Sequence, residues 1–128
     1  MERMTIADVV ALCKATEGYK VYQIDGSKYA FIITPKANVL CVQRATWGEG
    51  FIFTFKYKPN RKCGTGCSCH DKDTWDWGLK AVTIKGIEEL EEYGYRFATR
   101  LRAKLYESPE EFLEYERKFY GEKLREVI

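Results

Sequence analysis

Apolar residues recur along this chain with two different periods. Ile6, Val9, Val10 and Cys13 lie three and four positions apart, the spacing of one helical face. Thr5 with Asp8 three residues later forms a capping-box-like start in which Asp stands in for the more usual Glu. A first amphipathic helix is expected there, ending near Gly18. From residue 19 the rhythm changes. Segments 19–24 and 28–34 are rich in β-branched and aromatic residues, and Asp25-Gly26-Ser27 between them tolerates the positive φ of a tight turn. Segments 39–47 and 51–58 repeat the pattern around Gly48-Glu49-Gly50, so four strands in an antiparallel meander are predicted.

The helical period returns in the last third. Ile87, Leu90, Gly94, Phe97, Leu101 and Leu105 mark one face of a long helix, with a short strand expected before it near 81–84. Glu88, Glu89, Glu91 and Glu92 lie towards its start and Arg96, Arg100, Arg102 and Lys104 towards its end, an order that complements the helix dipole. Ser108-Pro109-Glu110-Glu111 combines an N-cap, a first-turn proline and a capping-box glutamate, so a final helix should start there and run close to the C-terminus. No repeat or long linker divides the chain, and a single domain over residues 1–128 is expected.

Composition narrows the class. With 128 residues, 45% hydrophobic and 15% aromatic, the chain can bury a real core. A formal charge of +2 with 31% charged residues neither demands nucleic acid nor excludes it, so charge arguments must be local. No window approaches the roughly 18 to 20 apolar residues of a membrane span, and the N-terminus has no signal-peptide pattern. A cytoplasmic protein, or one acting in a host cytosol, is expected.

The most specific chemistry is Cys63-Gly-Thr-Gly-Cys67-Ser-Cys69-His70, which packs three of the five cysteines and the one histidine into eight residues. Thiolate and imidazole are the ligands of tetrahedral zinc, and the glycines let a short backbone wrap an ion. A structural zinc on Cys63, Cys67, Cys69 and His70 is expected. Adjacent residues point apart, so Cys41 or a second chain could replace one ligand. Competing readings are a metal-free loop, a redox pair or strained disulfide, and an iron-sulfur cluster. Cys69-His70 also holds the minimum equipment for a cysteine hydrolase, although adjacency does not make a dyad, and the zinc deaminase signature is absent. Asp71, Asp73 and Asp76 could hold a hard cation such as magnesium, although Trp75 stands where an EF-hand needs an oxygen ligand; a solvated acidic loop between periodic segments is the expected reading. Trp75 and Trp77 read as buried anchors of that loop.

Two surfaces suggest partners. Phe51, Phe53, Phe55 and Tyr57 alternate with Ile52, Thr54, Lys56 and Lys58, an aromatic row that could stack bases as the sheets of RNA-recognition domains do. The predicted element order is not βαββαβ, so core packing is the expected use of that row. Lys56, Lys58, Arg61 and Lys62 lead into the cysteine loop, and Arg96, Arg100 and Lys104 form a ridge at i, i+4, i+8 spacing. Together they could track phosphates or an acidic protein surface.

These readings predict an α+β domain: an N-terminal helix, a mainly four-stranded antiparallel meander, a Cys/Gly-rich metal loop, and two C-terminal helices packed on the sheet. The expected function is a small non-enzymatic interaction or inhibitor module, stiffened by the zinc loop and binding another protein or a nucleoprotein complex. By analogy, that partner would be a nucleic-acid-processing complex. The alternative is direct binding of RNA or single-stranded DNA through the basic and aromatic surface. The third reading is a small cysteine- or metal-dependent enzyme.

Overall fold

The computed structural model describes residues 5–26, 28–44, 51–58, 72–76, 82–100, 102 and 104–127. The first helix, α1, covers Ile6–Lys14 and carries a complete capping box: the Thr5 hydroxyl accepts from the Asp8 N–H at 3.2 Å, and the Asp8 carboxylate accepts from the Thr5 N–H at 2.7 Å. Strands β1 (Lys20–Ile24), β2 (Tyr29–Ile33), β3 (Val39–Arg44) and β4 (Phe51–Phe55) follow as the expected antiparallel meander. Gly26 at φ +81° makes the first turn. The β2–β3 turn runs from Thr34 to Asn38, with Ala37 at φ +65° and the Thr34 N–H donating to the Asn38 carbonyl at 3.0 Å.

Among the described residues the sheet has six strands, not four. β5 (Lys72–Asp76) follows the cysteine-rich segment and pairs with β4, setting residue 52 opposite 76 and 53 opposite 75, with a bulge between Phe53 and Thr54. The Lys-Asp-Thr-Trp-Asp sequence reads as loop because its charges hide the β pattern, yet the edge of β4 recruits it. Asp73 and Asp76 therefore lie in a strand and not in a loop. β6 (Leu124–Glu126) closes the other edge against β1, giving the order β5-β4-β3-β2-β1-β6.

Helix boundaries also differ. Val82 and Thr83 form no strand. The Thr83 hydroxyl instead accepts from the Gly86 N–H at 3.0 Å, and Ile84 opens the second helix, α2, which covers Ile84–Arg100. Arg102 at φ +56° follows, so α2 stops before Lys104 and Leu105. The third helix, α3, covers Pro109–Tyr120, with the Ser108 hydroxyl accepting from the Glu111 N–H at 3.4 Å. It ends at Gly121 (φ +55°), short of the C-terminus, and one 3-10 turn leads into β6.

The sheet separates two apolar layers. Val21, Ala30, Ile32, Leu40, Val42, Phe51, Phe53 and Phe55 pack with Val9, Val10 and Cys13 of α1 and Ile87, Leu90 and Ala98 of α2. On the opposite face, Ile24, Phe31, Ile33, Val39 and Cys41 pack with Phe112 and Leu113 of α3, and the Phe31 and Phe112 rings meet edge to face at 5.0 Å. The two C-terminal helices thus both cover the sheet, from opposite sides. β4 is buried along its whole length. α2 lies so close to it that a β-carbon on Gly94 would stand 2.5 Å from the Phe55 Cβ.

Candidate partner-binding surface

The aromatic row of β4 is internal. Phe51, Phe53 and Phe55 are at most 1% exposed and Tyr57 is 3% exposed, so they belong to the layer under α1 and α2 and offer bases no platform. Ile52 and Thr54, on the alternate face, are buried as well.

The proposed zinc ligands Cys63, Cys67, Cys69 and His70 lie outside the described residues, as do Arg61, Lys62, Asp71 and Trp77. Cys41, the alternative ligand, is buried on β3 in the apolar layer with Phe31 and Phe112. Burial pushes the Cys13 thiol up to about 11, which suits a packed side chain and not a nucleophile. Among the described residues no group of three or more His, Cys, Asp or Glu side chains could hold a metal ion, and no helix is long and apolar enough to cross a membrane.

The basic residues are divided between the two sides of the sheet. Lys58 reaches towards α3, where its ammonium meets a Glu111 carboxylate oxygen at 2.5 Å. That hydrogen bond raises the pKa of Lys58 and lowers that of Glu111, whose other oxygen accepts from the Glu107 N–H at 2.8 Å. Arg96 and Arg100 project from α2, on the opposite side of the sheet, and Arg96 pairs with Glu92 one turn back. Lys56 is half-buried. Lys104 falls beyond the end of α2, so the i, i+4, i+8 ridge does not form. Its carbonyl instead accepts from the Lys58 N–H at 2.9 Å, which joins the chain leaving β4 to the chain leaving α2. The structure therefore brings Lys58 and Lys104 together in the backbone and keeps Arg96 and Arg100 apart from Lys58.

The outer side of α2 carries more than arginines. Tyr93, Arg96, Phe97 and Arg100 fall at i, i+3, i+4 and i+7, a single stripe along the helix. Tyr93 is 42% exposed, and its ring stacks on Phe97 with centroids 6.4 Å apart and planes 20° apart. Sequence spacing assigned Phe97 to the core, but it is only half-buried at the border of the packed face. Tyr93 went unnoticed because its exposure depends on how α2 is rotated over β4, where Gly94 lies against Phe55.

The described residues hold one buried carboxylate, and it acts as a pin. Glu91 is 2% exposed and accepts from the Thr34 hydroxyl and from the Asn38 side-chain amide, the latter at 2.8 Å. These donors tie α2 to the β2–β3 turn and satisfy the charge without an opening to solvent. Nearby, burial and then the charges of Glu88 and Glu91 push the Tyr19 phenol up to about 12. A groove of about 340 Å³ lies against α3, lined by Lys58, Tyr106, Glu111, Glu114, Tyr115 and Lys118.

Comparison of the chain with protein-family models, with curated proteins and with solved structures finds no match.

Proposed function

We propose that this domain is a non-enzymatic docking module that binds another protein or a nucleoprotein complex through the outer side of α2. In this reading the loop at 63–70 is closed by a structural zinc on Cys63, Cys67, Cys69 and His70, which stiffens a second contact region. The observation that carries the proposal is the stripe of Tyr93, Arg96, Phe97 and Arg100. Tyrosine and arginine dominate the energetic centres of protein interfaces, and a helix presents them rigidly at little entropic cost. The burial of the β4 aromatic row counts against base stacking there, one of the supports of the nucleic-acid alternative.

Two arms test the proposal. In the first, a partner recovered with the wild-type protein should be lost with the double variant Tyr93→Ala/Arg100→Glu and kept with Glu17→Ala, which alters an exposed residue of the turn after α1. In the second, a labelled random-sequence single strand should bind weakly, with no loss on Arg100→Glu. Tight binding that falls steeply with salt, by roughly 0.7 logarithmic units per phosphate contact per decade, and that weakens with Arg100→Glu would overturn the protein-docking reading in favour of nucleic acid.

A further inference from the structure

One flank of α3, beside the groove it forms with Lys58 and Tyr106, is complementary to itself. Phe119 is 58% exposed, and its ring meets that of Tyr115 edge to face at 5.3 Å. Tyr115 lines the 340 Å³ groove, and its hydroxyl is buried without a hydrogen-bond partner among the described residues. Glu114 and Lys118 line the same groove, and neither makes an ion pair or hydrogen bond among the described residues. At about 100° per residue, Glu114 and Lys118 lie on one flank of this face, and Tyr115 and Phe119 lie on the other.

When two identical helices pack antiparallel, like flanks meet, and residues equidistant from the two-fold axis oppose each other. An axis passing beside Glu116 and Arg117 sets Glu114 against Lys118 of the second copy, and Tyr115 against Phe119 of the second copy. The two registers differ by one residue on each side of that axis, a rise of about 1.5 Å, so one packing satisfies both. We propose that a second copy of this chain docks here, α3 against α3, with the Glu114–Lys118 pair and the Tyr115–Phe119 contact each made twice. The partner is fixed by charge: along this flank the helix presents an anion and a cation one turn apart, and its own reversed image presents the matching cation and anion. Glu111, on the same face, is already neutralised by Lys58 and does not oppose the approach.

The interface is small, so the dimer is transient and not obligate. It leaves the α2 stripe open on the other side of the sheet, and its failure would leave the docking reading standing. Sedimentation equilibrium on the full chain, from roughly 10 µM to 1 mM, covers the range in which such contacts dissociate. The wild type should associate to a dimer. Glu114→Lys and Lys118→Glu should each weaken association at least about tenfold, because each places like charges across both contacts. An equimolar mixture of the two variants should dimerise again, since opposite charges then meet on both sides. Circular dichroism of each variant, expected to match the wild type, checks that these surface variants are folded. A wild type that stays monomeric to 1 mM, a dimer indifferent to both reversals, or a mixture no tighter than either variant alone would each overturn the proposal.

Discussion

Gly94→Ala is expected to destabilise the domain by about 1–3 kcal/mol, where the same change on an exposed helix surface would stabilise it by up to about 1 kcal/mol. The reversal of sign comes from one close approach. The added β-carbon would stand 2.5 Å from the Phe55 Cβ and 2.7 Å from both Cγ and Cδ2, well inside the ~3.5–4 Å of ordinary carbon contact. Phe55 is 1% exposed and packed in the core layer, so its own retreat would disturb the neighbours it packs against. The helix must therefore lift, and the contacts of Ile87, Leu90 and Ala98 with the sheet loosen together. A fall in the urea midpoint at unchanged slope would confirm the close approach, and an unchanged or raised midpoint would contradict it.

The second large effect is expected at Glu91. Glu91→Ala strips the carboxylate acceptor from the buried Thr34 hydroxyl, leaving it only the Asn38 carbonyl at 3.5 Å, and from the half-buried Asn38 amide, and a buried donor left poorly partnered costs about 1–3 kcal/mol. The loss should total about 2–5 kcal/mol, with any small cavity included. A double-mutant cycle isolates the interaction: Asn38→Ala should cost much less once Glu91 is gone, with a coupling of at least about 1 kcal/mol. Strict additivity would mean that α2 is not pinned to the β2–β3 turn through this carboxylate.

The parts of the fold that were legible in the sequence are those whose stability is local. α1 announces itself through Thr5 and Asp8, α3 through Ser108 and Pro109, and the first four strands through alternation bounded by turn residues. The parts that were hidden depend on tertiary pairing. β5 is a charged pentapeptide that becomes a strand only because β4 offers an open edge, and β6 is three residues long. Gly121 was the available signal that α3 stops early, since glycine at a positive φ commonly ends a helix. At the proposed surface, Arg96 and Arg100 could be named from charge alone. Tyr93 could not, because the same apolar spacing fits a helix rotated slightly over the sheet. The split of the basic residues across two layers was equally invisible, since it follows from strand parity at Lys58 together with the side on which α3 lies.

The chemical claim at the centre of the account is that the thiols following β4 hold an ion. Native mass spectrometry of protein purified without chelator measures it directly. One zinc per chain is predicted, absent in Cys67→Ser, with the variant and the chelated wild type melting at the same lowered temperature because metal-binding free energy is folding free energy. Metal-free native protein whose melting temperature is unchanged by Cys67→Ser would contradict it.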